Sequence, residues 1–318
     1  MPAIATQALS RRFGEFTAVD SLDVSVEEGE IYGFLGPNGA GKSTTVRMLV
    51  TLLKPTSGDA TVAGSSVTDH PGDVRLRIGA ALQSTALDPN QTGRELLALQ
   101  ARLYGLGRGR ARRRIDELVE LVDIGDAVDA RISTYSGGMR RRIDLAAALV
   151  HSPEILFLDE PTTGLDPLSR ARVWEEVRRL NAEAGVTVFL TTQYLEEADR
   201  LADRVAIIDR GRIAAEGTPV ELKRTVGTDV ILVRTPAADD ALVRRLQEIP
   251  GVDRVDRHGH DLTIAAQDGS RAVGPVAVAL HQAGVDVEEL VLRTASLDDV
   301  FLEVTGTRFA SDDEEQES

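Results

Sequence analysis

A glycine-rich octapeptide constrains this chain more than any other part of its sequence. Residues 36–43 read GPNGAGKS, with four residues between the first glycine and the glycine that precedes Lys-Ser. The apolar run Ile31–Leu35 before it predicts a strand, and Lys42–Leu53 after it predicts a helix. A loop of this composition between a strand and a helix directs backbone N–H groups toward phosphate oxygens. The sequence therefore predicts an α/β protein with a P-loop.

The residues of the loop are expected to bind phosphate in different ways. Lys42 would reach the terminal phosphates as a catalytic positive charge, and the hydroxyl of Ser43 would ligate Mg²⁺. A chance glycine turn is the alternative, and the position between a strand and a helix disfavours it. The residues expected to contact the nucleotide here are Gly36, Pro37, Asn38, Gly39, Ala40, Gly41, Lys42, Ser43 and Thr44.

Two acidic residues follow a second apolar run, ILFL at residues 155–158. Sheets of this class bind ligands at the carboxyl ends of their strands, so Asp159 and Glu160 would lie beside the P-loop. Asp159 would hold Mg²⁺, and Glu160 would act as the general base that polarises the attacking water. The alternative is an acidic strand end at the surface, but two acids directly after such a run rarely serve packing.

A third motif, YSGGM at residues 135–139, precedes the predicted helix Arg140–Leu149. Ser136 is a suitable N-cap residue, and the N–H groups at the start of a helix bind anions. The three motifs in this order resemble the ATP-binding-cassette (ABC) ATPases. That resemblance implies that Ser136, Gly137 and Gly138 contact the γ-phosphate of ATP on a second copy of the chain, with Asp166 at the same seam. It also implies ATP and Mg²⁺ as cofactors, in a head-to-tail dimer.

The resemblance assigns three further residues. Gln83 would contact Mg²⁺ and the attacking water, and Phe13 would stack on adenine. Phe16 is near Phe13 in the sequence, and core packing is the alternative for both. Gln193 occupies the place where most ABC ATPases carry a histidine that contacts the γ-phosphate. Glutamine keeps a neutral hydrogen-bond donor, so either hydrolysis proceeds with it or the protein is an ATP-dependent switch.

Longer strings narrow the resemblance to one type of exporter. The chain resembles the daunorubicin/doxorubicin-resistance ATPases in three such strings: TTQYLEEADRLADRVAIID, YSGGMRRRIDLAAAL and LRTASLDDVFLEVTG. This implies an active, ATP-hydrolysing subunit that powers export of a drug or antibiotic through a separate membrane permease. The alternative is a soluble ABC protein without a membrane partner. Translation factors of that kind carry two cassettes and basic linkers, and repair ATPases need sustained heptads, which this chain lacks.

The chain is predicted to contain two domains and a tail. Residues 1–227 would form an ABC ATPase domain with a RecA-like core, an antiparallel β subdomain and a helical insertion at about 84–150. In that insertion, Arg94–Leu106 and Arg110–Val122 predict helices. Residues 228–308 follow the order βαββαβ, typical of a ferredoxin-like α+β domain. Residues 309–318 include five acids and are predicted to be disordered.

Composition and charge limit the partners. A net charge of −15 argues against nucleic-acid binding, which needs a basic face. The sequence has no cysteine, no signal-peptide pattern and no apolar stretch near the roughly 18 residues of a membrane span. We therefore expect a peripheral protein on the cytoplasmic side of the cell membrane, attached through the permease.

Overall fold

The computed structural model describes residues 1–83, 87–227, 229–235 and 239–306. Contacts divide the chain into two compact units, one covering Met1–Pro219 and the other beginning at Val220. No helix in the described ranges is long and apolar enough to cross a membrane. The predicted disordered tail, 309–318, and the first residues of the predicted helical insertion, 84–86, lie outside the described residues.

The first unit contains two sheets and a group of helices. Its strands are β1 (Ile4–Phe13), β2 (Phe16–Leu22), β3 (Ser25–Val26), β4 (Ile31–Leu35), β5 (Ser57–Val62), β6 (Ser65–Ser66), β7 (Ile78–Ala81), β8 (Ile155–Asp159), β9 (Thr187–Thr192), β10 (Arg204–Asp209) and β11 (Arg212–Gly217). Its helices are α1 (Lys42–Leu49), α2 (Pro71–Arg77), α3 (Gly93–Leu103), α4 (Arg108–Leu121), α5 (Gly137–Leu149), α6 (Pro167–Ala184) and α7 (Leu195–Leu201), and α8 (Pro219–Val226) follows at the boundary.

The central sheet has the strand order β11-β10-β4-β9-β8-β7, and all its pairs are parallel except β11 with β10. Strands β4, β8 and β9 are buried along their whole length, as in parallel sheets covered on both faces. The ring centroid of Phe189 lies 5.4 Å from that of Phe34 and 5.6 Å from that of Phe157, which packs β9 against both neighbours. The sheet confirms the predicted α/β class, and its order places the ends of β4, β9 and β8 side by side.

The predicted antiparallel β subdomain is also present. Strands β2, β1, β5 and β6 pair in that order, and β3 pairs with β1. Phe13 ends β1 and pairs directly with Phe16 at the start of β2, across a turn in which Gly14 has φ +59°. The hairpin therefore presents both aromatic residues at one end.

The helical insertion consists of α3, α4, two short 3-10 helices (Gly125–Asp129 and Ile132–Thr134) and α5. The predicted helices are found with slightly different ends. Thr92 starts α3 with a capping box, since its side chain accepts from Glu95 N–H and the Glu95 side chain accepts from Thr92 N–H. Buried side chains of α3, α4 and α5 share one core that includes Leu97, Leu118 and Ile143.

Helix α1 is shorter than the sequence predicted, because it ends at Leu49 rather than Leu53. Thr51 has φ +65°, a conformation that a helix cannot continue through. The N–H groups of Leu52 and Leu53 both bond to the carbonyl of Arg47, which closes the helix in a tight turn. The predicted end was therefore wrong by one turn.

The second unit contains the predicted βαββαβ order. Its elements are β12 (Asp229–Arg234), α9 (Asp240–Gln247), β13 (Val252–His258), β14 (Asp261–Ala266), α10 (Gly269–Gln282), β15 (Glu289–Arg293) and α11 (Leu297–Thr305). The strands form an antiparallel sheet in the order β13-β14-β12-β15, which is the ferredoxin-like arrangement. Strand β15 begins at Glu289, opposite Arg234, where its partner β12 ends.

Candidate functional site

The P-loop connects β4 to α1 and passes close to two neighbouring strands. A Cβ on Gly36 would lie 2.4 Å from the carbonyl oxygen of Ile208, and a Cβ on Gly41 would lie 2.5 Å from that of Ala18. Gly41 also has φ +110°, in the range that favours glycine. Glycine at both positions thus lets the loop turn its N–H groups toward a ligand.

A cavity of about 300 Å³ opens beside this loop. It brings together residues from the hairpin, the P-loop, the end of β7 and the end of β8. Its lining consists of Phe13, Phe16, Ala18, Pro37, Asn38, Gly39, Gly41, Lys42, Ser43, Thr44, Gln83 and Glu160. Most of the residues predicted to contact the nucleotide and the reacting phosphate therefore line one cavity.

A buried ion pair lies in the cavity. Lys42 Nζ is 3.2 Å from Oε1 of Glu160, with 4% and 5% of the two side chains exposed. The same ammonium donates hydrogen bonds to the carbonyls of Gly36 (2.6 Å) and Pro37 (3.2 Å). Burial lowers the pKa of Lys42, and the charges of Glu160 and Asp159 oppose that shift. The ammonium is thus held against the P-loop backbone and the carboxylate of Glu160.

Asp159 is fixed by two hydroxyl groups. Its Oδ1 accepts hydrogen bonds from Thr191 Oγ1 (2.6 Å) and from Ser43 Oγ (3.2 Å). A hydroxyl and a carboxylate oxygen this close fit the oxygen ligands that Mg²⁺ prefers. No group of three or more His, Cys, Asp or Glu residues in the described chain could hold a metal ion. A cation here would therefore complete its coordination with phosphate oxygens and water, which is how nucleotide-binding sites hold Mg²⁺.

Glu160 has an unusual backbone conformation. Its φ is +50°, which for a non-glycine residue costs on the order of 1–3 kcal/mol. Its N–H is shared between the carbonyl and the hydroxyl oxygen of Thr191, both at 3.1 Å. Gln83 Nε2 donates to Oε2 of the Glu160 carboxylate at 3.2 Å. These contacts explain how the strained residue keeps its carboxylate beside Gln83.

The aromatic residues of the hairpin are not packed in the core. Phe13 is 46% exposed and Phe16 is 62% exposed, and both line the cavity. The guanidinium of Arg11 lies 4.5 Å from the ring centroid of Phe13, a cation–π contact that covers one of its faces. Either ring has a surface available to a nucleotide base.

The other predicted residues lie outside this cavity. Ser136 is the N-cap of α5, and its Oγ accepts from Met139 N–H at 3.2 Å. Gly137 and Gly138 form the first turn of this helix.

Three further predicted residues also lie outside the cavity lining. Asp166 is the exposed N-cap of α6, and the hydrogen bonds that its carboxylate accepts from Ser169 lower its pKa. Ala40 is buried in the P-loop. Gln193 directly follows β9 and is partly buried, but it does not line the cavity.

Sequence reasoning missed three buried polar residues around the site. Thr191 anchors both acids, as described above. Arg141 on α5 donates to backbone carbonyls at the ends of β7 and β8. Glu197 on α7 accepts from Thr162 Oγ1 (3.1 Å) and from Trp174 Nε1 (2.8 Å). All three act through contacts between distant elements, for which the sequence contains no local pattern.

Comparison with known proteins identifies the family of the chain. A model of the ABC transporter family matches residues 19–163, and a model of the DrrA1-3-like C-terminal domain matches residues 217–305. Daunorubicin resistance ATP-binding protein DrrA2 of Streptomyces coeruleorubidus is 48% identical over 312 residues, with 96% of both chains covered. The chain belongs to the daunorubicin-resistance type of ABC transporter ATP-binding proteins.

Other comparisons extend the assignment. This ABC ATPase is also 48% identical over 306 residues to the daunorubicin/doxorubicin resistance ATP-binding protein DrrA of Streptomyces peucetius, covering 96% of this chain and 92% of the relative. A solved dimeric ATP-binding cassette in a post-hydrolysis state with ADP and Pi superimposes with a TM-score of 0.63 at 25% identity, covering 68% of this chain and 98% of that one. The chain is therefore an ATPase that binds and hydrolyses ATP.

Proposed function

We propose that this ABC ATPase powers the export of a drug or antibiotic through a separate membrane permease. The observation that carries the proposal is the cavity in which Lys42, Gln83 and Glu160 meet beside the P-loop. The export role is supported by relatives that are named as drug-resistance proteins and match along 96% of the chain. The protein would act as a peripheral subunit on the cytoplasmic side of the membrane.

The arrangement suggests how hydrolysis proceeds. Phosphate oxygens would compete with the Glu160 carboxylate for the Lys42 ammonium, since both anions suit the same buried cation. Glu160, released from Lys42, would accept a proton from the attacking water as the bond from water oxygen to the γ-phosphorus forms and the bond to the β-phosphate oxygen breaks. Mg²⁺ would be held by Ser43, Gln83 and Asp159, and it would neutralise negative charge on the phosphates. Gln193 would supply a neutral donor to the γ-phosphate.

A second copy of the chain would complete each ATP site. The first turn of α5 offers backbone N–H groups capped only by the Ser136 hydroxyl, which makes it a site for anions. In a head-to-tail dimer, Ser136, Gly137 and Gly138 would reach the γ-phosphate on the partner's P-loop, with Asp166 nearby. The dimeric cassette that superimposes on this chain supports that arrangement.

A groove on the first unit is suited to the permease. It has a volume of about 230 Å³ and is lined by residues from the end of α1, from β7, from α3 and from α5. The rings of Tyr104 and His151 stack in it with centroids 3.7 Å apart. Leu52 in the groove is 63% exposed, and Leu103 beside Tyr104 is 71% exposed. Exposed leucines around a groove suit the apolar face of a short helix from the membrane protein.

The proposal is tested by measuring ATP turnover with Mg²⁺, first with the purified protein and then with its permease in vesicles containing daunorubicin. Turnover that rises with both permease and drug supports an export motor. Turnover that is indifferent to any membrane partner contradicts it and favours a soluble ABC ATPase. Tight ATP binding without turnover would instead show a nucleotide-dependent switch.

A further inference from the structure

One buried guanidinium links two of the backbone segments that line the cavity, the ends of β7 and β8. The Arg141 residue, 9% exposed, donates from Nε to the carbonyl of Pro161 (3.0 Å) and from Nη1 to that of Leu82 (2.9 Å). Its Nη2 donates to the carbonyls of Asp159 (3.2 Å) and Ala81 (3.4 Å). Every nitrogen of the planar group therefore bonds to main chain, two carbonyls at the end of β7 and two at the end of β8.

These carbonyls belong to the immediate neighbours of two cavity residues. Ala81 and Leu82 directly precede Gln83, and Asp159 and Pro161 flank Glu160. The Gln83 amide and the Glu160 carboxylate are hydrogen-bonded at 3.2 Å. Because the guanidinium bonds to both segments at once, a shift of Arg141 changes the separation of the amide and the carboxylate. A misplacement of about 1 Å in a catalytic site reduces rates on the order of 100-fold.

Arg141 also belongs to α5, the helix for which Ser136 is the N-cap. The two residues are five positions apart, which is roughly 8 Å along a rigid element. The start of α5 is the place at which we expect the ATP of the partner subunit to bind. The helix thus extends from one ATP site of the dimer to the backbone that holds the base of the other.

We propose that Arg141 is a positioning residue that couples the two ATP sites of the dimer. ATP engaged at the start of α5 would set the position of Arg141, and Arg141 would set the distance between Gln83 and Glu160 in its own chain. This inference rests on the head-to-tail dimer and on the residue roles proposed above. Because the two copies in such a dimer are equivalent, Arg141 of each chain would act in the same way, and each site would influence the other.

The neighbouring Arg142 provides a matched control. It lies on the same helix, 14% of its side chain is exposed, and its Nη1 donates to the carbonyls of Val122 (2.9 Å) and Asp123 (2.5 Å). Those carbonyls directly follow the end of α4 in the helical insertion and do not belong to the cavity. Replacing Arg142 therefore removes two hydrogen bonds to main chain without touching the segments around Gln83 and Glu160.

The test compares steady-state ATP hydrolysis by the full chain and its variants. For Arg141→Met we expect kcat to fall on the order of 10-fold to 100-fold, with ATP affinity within about threefold of wild type. We expect a Hill coefficient for ATP above 1 in the wild type and of about 1 in Arg141→Met. Arg142→Met is expected to lower the melting temperature by a smaller amount, because it loses fewer hydrogen bonds, and to leave kcat and the Hill coefficient unchanged.

Arg141→Lys separates positioning from charge. Lysine keeps the positive charge but cannot bond to both strand ends with a planar fork, so we expect it to restore stability and not kcat. Three results would each overturn the inference. These are a kcat of Arg141→Lys equal to that of the wild type, a Hill coefficient of 1 for the wild type, and equal kinetic effects of Arg141→Met and Arg142→Met. Glu160→Gln in the same assay tests the site itself. If Glu160→Gln abolishes turnover and Arg141→Met does not change it, only the coupling is refuted.

Discussion

The ammonium of Lys42 and the carboxylate of Glu160 form an ion pair of 3.2 Å that is almost completely withdrawn from solvent. The pair joins the residue expected to bind phosphate to the residue expected to activate water. Each ion compensates the other, and breaking such a buried pair by removing one partner is costly. If a phosphate oxygen replaced Glu160 as the partner of Lys42, the ammonium would stay paired and the Glu160 carboxylate would be released in the same step.

Glu160→Gln is expected to reduce ATP turnover by roughly 100-fold to 10,000-fold, the usual contribution of a general base. ATP binding should persist and tighten, because Lys42 no longer has a competing carboxylate. Phosphate release and equilibrium nucleotide binding measure the two effects. Glu154→Gln is the control, since Glu154 directly precedes β8 at its other end and its side chain is 61% exposed. Turnover of Glu160→Gln within a few fold of wild type would refute the assignment.

Phe13→Ala is expected to weaken ATP binding more than Phe16→Ala does. Stacking of a base on an aromatic ring contributes about 1–3 kcal/mol, which corresponds to roughly 5-fold to 150-fold in the dissociation constant. Both rings are exposed, so neither variant should change the free energy of unfolding by more than about 0.5 kcal/mol. Titration with a fluorescent ATP analogue measures the affinity of each variant. A larger loss of affinity in Phe16→Ala than in Phe13→Ala would show that Phe16, and not Phe13, stacks on adenine.

Gln193→His is expected to keep turnover within a few fold of wild type, whereas Gln193→Ala should lower kcat clearly. Both glutamine and histidine provide a hydrogen-bond donor to the γ-phosphate, and alanine does not. The same phosphate-release assay distinguishes the variants. Unchanged turnover in Gln193→Ala would show that the residue after β9 plays no part in hydrolysis.

Mixing two inactive variants tests whether ATP sites are shared between copies. Lys42→Ala damages the P-loop side of a site, and Ser136→Ala damages the side that we assign to the partner. In a head-to-tail heterodimer, both changes fall on one site and the other site remains intact. We therefore expect each variant alone to be inactive and the mixture to recover part of the wild-type turnover. A mixture as inactive as its components would contradict the shared site.

Asp144 should make the stability of the first unit depend on pH. Burial raises the pKa of this carboxyl to about 6, although the nearby Arg141 guanidinium lowers it. The folded form therefore holds a proton that the unfolded chain releases near pH 4, so stability declines as the pH rises between about 4 and 6. The decline from this group alone is at most about 3 kcal/mol.

Replacement by asparagine removes that contribution. Asp144→Asn is expected to gain stability relative to wild type as the pH rises from 4 to about 6, and above about pH 6 the difference should stay constant. The asparagine oxygen would still be able to accept from Arg141. Urea unfolding of both proteins at each pH gives the difference between their free energies of unfolding. Contributions from other titrating groups are the same in both proteins and cancel. A difference that does not change between pH 4 and 6 would refute the raised pKa of Asp144.

The sequence predicted the elements that have long patterns of their own. Parallel strands such as β8 are unbroken apolar runs, which identifies them without tertiary information. Helix α11 begins with a capping box, in which Ser296 Oγ accepts from Asp299 N–H and Asp299 Oδ2 accepts from Ser296 N–H. Local chemistry of this kind is fully encoded within four residues.

Other features depend on partners that are remote in the sequence. The sequence shows Arg141 as one of three consecutive arginines, and nothing there distinguishes it from Arg140 or Arg142. Its carbonyl partners lie 59 and 60 residues earlier and 18 and 20 residues later in the chain. Thr191 likewise reads as one more strand residue. The roles of both residues follow from the strand order and from the position of α5 rather than from any motif.

A single hydroxyl on β9 holds the backbone of Glu160 and the side chain of Asp159 together. A movement of β9 would therefore reach both acids through one side chain, and the two residues would respond as a unit rather than independently. Loss of that hydroxyl would loosen the backbone of one acid and the side chain of the other at the same time.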